Sequence, residues 1–494
     1  MEPDRTHPPG AASTPLALPR LGRPVFTLWD AVGQALAIAP VFNIALVIPL
    51  VVGISGAATP FTIVLATACV FCLRWIITLY ARRYVGAGGV YDYVRHISPS
   101  LALFTACLYF VGVLLLSAAG GYSIIGLLCI QIIPTIFGVT IPWWIFACLA
   151  ALLVFLFHML GSGYVTRGRL LFTTLAVLPL VFLSLAIIVH GGDTGNTLNA
   201  LLPLHTPLPI LLQGTLIAVT LFVGLEATPS VSEEVKHPRR TIPRATGIAL
   251  VAIAFLYLLV TYASSIGFGL SHTGKWISDS TPLTTLAIRY VGGWFTIFHD
   301  VAVVINALTS VSAFTAVITR GMFALSRHGF LPALFGRTTY FRSWSVIPLM
   351  GNLCVLCCAL FIIIIFTIAN VDPLVGFGIT VTWGLLLVMA TYLTLAIAAI
   401  PLLLQNNGKW WHWVYLALAL VIPFLELYGS VVPFPLWPAS LPLYGVLVTT
   451  GAAAIWVLGV LMWRPDLLRA AAKPYSWERN AAKQRMKTDT TISQ

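Results

Sequence analysis

The sequence predicts an all-α integral membrane fold of twelve transmembrane helices, and three observations predict it. Of 494 residues, 59% are hydrophobic and only 9% charged, where soluble domains carry roughly 25% charged residues. Apolar runs of about 20 residues, the length that spans a bilayer as a helix, recur along nearly the whole chain. The basic residues fall almost entirely in alternate loops between these runs.

Apolar windows set against Gly and Pro breakers place the helices at 27–53, 60–81, 101–133, 141–160, 170–190, 207–231, 245–270, 294–320, 345–370, 373–403, 412–433 and 441–463. Twelve is even, so both termini share one side. Outside the tails, the alternate short loops hold 14 Lys and Arg on one side against 2 on the other, Lys275 and Arg289. The positive-inside rule therefore predicts a multi-pass cell-membrane protein with both termini cytoplasmic. Residues 1–25, rich in Pro and polar groups, read as a disordered cytoplasmic tail without signal-peptide features. Residues 26–403 form a ten-helix core, 404–463 two peripheral helices, and 464–494 a basic cytoplasmic tail.

The net charge of +12 needs no nucleic-acid partner, because its residues are strung along loops beside membrane helices instead of clustering on a soluble face. The partner that composition requires is the lipid bilayer. All eight cysteines lie in apolar runs, where a thiol packs as a small hydrophobe. Cys354, Cys357 and Cys358 have metal-like spacing but no flanking His or carboxylate, so neither a metal nor another cofactor is expected.

Two helices are punctuated where a bilayer span favours continuity. The first carries Gly33, Pro40, Pro49 and Gly53, and the sixth Gly214, Gly224 and Pro229. They head two five-helix units, about 27–190 and 207–403. Five is odd, so the second unit starts from the opposite side, as in inverted-repeat transporters whose site lies between broken helices near the midplane. Ordinary kinks remain the alternative, since membrane helices tolerate both residues.

Three segments then carry a resemblance. Residues 222–245, FVGLEATPSVSEEVKHPRRTIPRA, resemble the stretch from the sixth helix into the next loop in the amino acid, polyamine and organocation permeases. Residues 320–332, RGMFALSRHGFLP, are similar to the end of that family's eighth helix, and GGVYDY at 88–93 to its loop after helix two. The resemblance implies a leucine-transporter-type fold, ten helices in two inverted repeats of five plus two peripheral ones, with amino acids or related amines as substrates. The family's first helix usually breaks at a Gly-x-Gly stretch. Here the matching place reads Ile38-Ala39-Pro40-Val41-Phe42-Asn43, and Pro40, which lacks a backbone donor, opens the helix by another route.

A buried amino acid needs partners for its carboxylate and ammonium, and broken helices supply both from backbone. The candidates are the backbones of Ala39, Val41, Phe42 and Asn43 in the first helix and of Phe222, Val223, Gly224 and Leu225 in the sixth, with Gly224 admitting close approach. Glu226 is either a brace for the unwound backbone or a proton-coupling or ammonium-contacting group, since a carboxylate at bilayer depth is costly without a role. Asp300 could meet a cationic substrate or pair with another polar group. Glu426, on helix eleven, reads as a packing or oligomer contact. By the resemblance, Tyr109 and Phe314 fall at pocket positions, and Thr220 stands where some relatives place an aromatic gate. A proton or sodium is the candidate co-transported ion. Helix five at 170–190 holds no lysine of the kind some proton-coupled relatives use, and Ser312 and Thr315 offer an oxygen cage for sodium. Glu233 and Glu234 are expected to pair with Lys236, Arg239, Arg240 and Arg244 in the cytoplasmic loop.

These readings favour a secondary active transporter of an amino acid or amine. Carriage of a nucleobase or another small organic solute on the same fold, or a non-transporting receptor using the same pocket, stay open. An enzyme is disfavoured because the ten histidines are scattered singly with no acid–base or metal constellation. A channel is disfavoured because broken helices suggest an occluded site.

Overall fold

The computed structural model describes residues 21–475 except 39, 204–205, 280, 343–344 and 406–408. Most of the expected amino tail, the carboxyl tail beyond 475, and Ala39 lie outside the described residues. The helices are α1 Leu28–Leu36, α2 Pro40–Leu46, α3 Ile48–Ser55, α4 Thr59–Ala81, α5 Val90–Arg95, α6 Pro99–Leu114, α7 Tyr122–Phe137, α8 Trp143–Met159, α9 Ser162–His190 and α10 Leu208–Thr220. They continue as α11 Pro238–Phe268, α12 Thr273–Ser278, α13 Pro282–Tyr290, α14 Trp294–Arg327, α15 Leu349–Ile368, α16 Pro373–Gln405, α17 Trp410–Val431, α18 Leu441–Trp463 and α19 Pro465–Ala472. A π-helical stretch, Leu115–Gly121, joins α6 to α7, and one hairpin pairs β1 Thr339–Arg342 with β2 Ser345–Ile347.

Among the described residues, ten helical runs are long and apolar enough to cross a membrane, and α8 is a shorter apolar helix. One of the ten, Asn43–Ala81, contains an interruption at Gly56, whose φ is +53°. The interior is apolar, but burial departs from that of a water-soluble fold in two ways, in the charged side chains it encloses and in the apolar side chains that cover the outside. The largest fully buried side chains include Arg95 and Arg169, while Val251 is 68% and Ile455 73% exposed on the outer surface. Such a surface suits a hydrocarbon solvent, with polar groups satisfied inside the bundle.

Local chemistry explains where the elements begin. A capping box starts α1: Asp30 N donates to Thr27 Oγ1 at 3.4 Å, and Thr27 N donates to Asp30 Oδ2 at 2.8 Å. Two starts differ from the sequence expectation. Helix five begins at Ser162, after Gly161 at φ +81°, and not at 170, so Arg167 and Arg169 belong to it. Helix seven begins at Pro238, since proline suits the first helical turn. Arg239, Arg240 and Arg244 therefore lie in the first turns of α11 and not in a loop.

One end of the bundle is closed by buried charge. Glu233 pairs with Arg327 at 2.9 Å and Glu234 with Arg320 at 2.7 Å, so the arginines come from the end of α14 and not from the start of α11 as expected. The end of α14 reaches these glutamates directly, whereas Arg240 and Arg244 are exposed. Leu21 N donates to Glu233 Oε2 and Ala87 N to Glu233 Oε1, both at 2.9 Å. Asp92 pairs with Arg95 at 2.6 Å and accepts from Gly88 N at 2.7 Å. Gly86 is needed here, because a Cβ would lie 2.2 Å from Asp92 Cγ. Tyr475 donates to Asp92 Oδ1 at 2.8 Å, accepts from Arg327, and has the Arg95 and Arg327 guanidiniums each 4.0 Å from its ring centroid. Both ends of the described chain are thus packed into this cluster: Leu21 is 2% and Tyr475 2% exposed. Burial would raise the Asp92 carboxyl, but Arg95, Arg327 and His328 beside it hold it at about 2. Burial pushes His328 down to about 3, and neighbouring Arg95 adds to the effect.

Candidate functional site

The expected break in the first helix is present. Helix α1 stops at Leu36 and α2 begins at Pro40, whose missing N–H is no loss at a first helical position. Backbone groups freed at the break find side-chain partners from α14. Ser310 Oγ donates to Ile38 O at 3.0 Å, and Val41 N donates to Asn306 Oδ1 at 3.1 Å. Each would cost about 1–3 kcal/mol if left buried and unpaired.

The sixth helix is interrupted as well. Helix α10 ends at Thr220, and a 3-10 turn resumes over Leu225–Val231. Leu221 O accepts from Asn43 Nδ2 and from Tyr257 Oη, both at 2.8 Å, so the first break and α11 satisfy the second. Gly224 N donates to Glu226 Oε1 at 3.0 Å and Oε2 at 2.9 Å, and Tyr392 Oη donates to Oε2 at 3.1 Å. These three contacts of the Glu226 side chain all come from donors, the pattern an ionised carboxylate accepts. Gly224 has φ +123°, and a Cβ there would lie 2.4 Å from Ile38 Cγ2. Ile38 therefore occupies the space that the sequence reading reserved for a ligand. The glycine lets the two broken helices cross.

Between the breaks lies a cavity of about 50 Å³, room for a few water-sized groups. Asn43, Thr220 and Ser310 supply its polar atoms, and Ile38, Val223 and Phe314 are among its apolar walls. Among the described residues, no charged side chain lines it. Of the expected site residues, Asn43, Thr220, Val223 and Phe314 meet at this cavity. Val41, Tyr109, Phe222, Leu225 and Glu226 are buried but do not line it. Phe222 packs edge-on against Tyr257, and Tyr109 against Phe110. Pro40 and Phe42 are present as backbone at the start of α2. Asp300 does not reach the cavity and pairs with His299 Nδ1 at 2.9 Å. A second cavity of about 370 Å³ lies alongside, and Val47, Thr220, Phe377, Val381 and Leu385 form a wall common to both.

The residue that sequence reasoning missed is Arg169, fully buried on α9. Its Nη1 donates to Gln34 Oε1 at 2.6 Å, Nη2 to Ser312 O at 2.8 Å, and Nε to Ser312 Oγ at 3.2 Å. His158 Nε2 is 3.0 Å from the same hydroxyl. A guanidinium thus occupies the oxygen cluster that Ser312 offered to sodium, while Thr315 donates to Val311 O at 2.9 Å within its own helix. The signal was available: Arg169 stands one residue before the segment searched for a helix-five cation.

The curated relatives are transporters. The chain is 23% identical over 276 residues to the cadaverine/lysine antiporter of Escherichia coli (strain K12), an alignment covering 53% of this chain and 58% of the antiporter's length. It is 25% identical over 310 residues to the low-affinity putrescine importer PlaP of the same strain, covering 61% and 66% of the two chains. It is also 26% identical over 141 residues to the branched-chain amino acid permease BcaP of Bacillus subtilis (strain 168), covering 27% and 30%. Residues 26–463, from the cap of α1 to the end of α18, match the model of the amino acid permease family, and the protein belongs to that family.

Proposed function

We propose that the protein is a secondary active transporter that carries an amino acid or a related amine across the cell membrane by alternating access. The observation that carries this reading is the pair of interrupted helices whose freed backbone groups converge on one small, uncharged cavity. In this closed state those groups are held by Ser310, Asn306, Asn43 and Glu226. A substrate carboxylate or ammonium takes over such bonds as the cavity opens, so the side chains act as placeholders that keep the breaks formed. The twelve-helix reading follows if α1–α3 count as one interrupted span and the chain reverses at Gly56 before α4. The ends of the described chain, Leu21 and Tyr475, pack at the end closed by charge, and the bias of Lys and Arg toward that side supports a cytoplasmic orientation for it.

For coupling, the buried guanidinium of Arg169 supplies a fixed positive charge where a sodium ion would sit, which disfavours sodium there. Glu226 remains the candidate proton carrier. Protonation would turn one of its oxygens from acceptor to donor, weakening its hold on Gly224 N or Tyr392 and loosening the sixth-helix break. Uptake by liposomes holding the purified full-length protein, screened over amino acids, amines and nucleobases, tests the reading. Accumulation of an amino acid or amine above protein-free liposomes is expected. Uptake of nucleobases alone would replace the substrate class, and saturable binding without uptake would make the protein a receptor.

A further inference from the structure

The larger cavity holds a feature that the central site does not use. Glu426, on α17, lines it at 7% exposure, and its Oε1 is buried without a hydrogen-bond partner. Gln213, Thr220 and Ser430 add polar atoms to the lining, and Leu386 and Met389 add apolar wall. A carboxyl with a buried, unpartnered oxygen at membrane depth is costly and marks a site for a partner. The partner's chemistry follows from the lining. A carboxylate that shares its cavity with hydroxyl and amide oxygens suits the three donors of a primary ammonium, and the apolar wall takes a short alkyl chain.

We propose that this cavity is a second binding site, in which Glu426 holds the primary ammonium of an alkyl amine beside the central cavity. The wall it shares with the central cavity includes Thr220 where a bulkier gate residue would thicken it. Among the described residues, the central cavity has no charged side chain of its own, so Glu426 supplies the charge recognition that an amine entering from this side needs. Binding at Glu426 does not depend on the transport reading. Only the role of this site as a way station does.

The test uses the full-length protein in lipid nanodiscs with cadaverine as the probe. Radiolabelled cadaverine should bind saturably, pentane-1,5-diol should not compete, and Glu426→Gln should raise the dissociation constant tenfold or more while Glu426→Asp recovers most of the affinity. Unchanged cadaverine binding in a folded Glu426→Gln protein would overturn the proposal. A second measurement needs no variant. A hydrophobic carbodiimide should modify Glu426 in the wild-type protein, read by the mass of its peptide, and cadaverine should slow that reaction at least fivefold. A rate unaffected by cadaverine would overturn the site. A protein that protects Glu426 but takes up no amino acid or amine would overturn the transport reading and leave this site standing. Uptake with Glu426 unprotected would do the reverse.

Discussion

Replacing Gly224 by alanine probes the crossing of the two broken helices, and the structure sets the size of the effect. At φ +123° a side chain is strained by about 1–3 kcal/mol. The new Cβ would also lie 2.4 Å from Ile38 Cγ2 and 2.7 Å from Ile38 Cβ, an overpacking that costs a further ~1–3 kcal/mol. The expected loss is therefore about 2–6 kcal/mol. Only the second part depends on Ile38, so a double-mutant cycle separates them. In an Ile38→Gly background, which removes Cβ as well as Cγ2, Gly224→Ala should cost ~1–3 kcal/mol less than in the wild type. The assay is unfolding by titrated sodium dodecyl sulfate in mixed micelles, followed by tryptophan fluorescence, with substrate binding measured on the same four proteins. A cost that is the same in both backgrounds would refute the steric argument. Full stability of Gly224→Ala coupled to lost binding would restore the view that Gly224 faces the ligand.

Glu226→Gln keeps the shape but loses the charge, so it should flatten the pH dependence of uptake while binding survives; an unchanged pH profile would leave Glu226 as a brace alone. Arg169→Met removes the buried cation and should reduce uptake strongly, with Arg169→Lys less harmful; appearance of sodium-dependent uptake in the methionine variant would show directly that the guanidinium stands in for the ion. Acid should loosen the end closed by charge in two stages. Between pH 6.5 and about 3 an unfolded histidine binds a proton that buried His328 refuses, so stability falls with pH by up to about 1.4 kcal/mol per unit. Between about pH 4 and 2, as Asp92 passes from an ordinary 3.8 to its held value of about 2, its share is lost as well. Thermal unfolding from pH 7 to about 2 checks this, and a His328→Gln protein with the same acid slope as the wild type would count against it. A single cysteine at position 236 should react with an impermeant reagent only from the cytoplasm; labelling from outside would invert the topology.

What the sequence disclosed was whatever periodicity and chain reversal control. Runs of apolar residues placed the later spans close to their observed bounds, as at 441–463, because bilayer thickness fixes helix length. Both interruptions were also visible, since Pro40 and Gly224 change the backbone wherever they occur. Starts of helices at a charged end were less legible. Hydropathy windows stop at arginines, yet Arg169, Arg239 and Arg327 all sit in helices. The same blind spot hid the ion pairs, since Glu233 finds Arg327 across 94 residues and local spacing favoured Arg239 instead. Which residues line the cavity was legible only in part. Tyr109 and Phe222 are buried but do not line it, and which face of a packed helix points inward depends on neighbours that one sequence does not reveal.

The position of the buried ion pairs bears on how a transporter of this family could cycle. Asp92–Arg95, Glu233–Arg327 and Glu234–Arg320 all gather at one end, brought there by the three segments that carried the family resemblance. An apolar seal of that area would be costly to open, since every exposed square ångström loses about 25 cal/mol. Charged pairs behave differently. Removing one partner from a buried pair costs about 3–5 kcal/mol, because the other is stranded without water. Separating both into water lets each regain its hydration, and exposed pairs are worth only about 0–1 kcal/mol, so the net cost of opening is far smaller than the cost of any single deletion. An end sealed by ions is therefore sensitive to the loss of any one partner yet cheap to open as a unit. Tyr475 extends the same logic to the carboxyl segment: its ring lies against both Arg95 and Arg327, so opening this end must also release residues 464–475 from the bundle.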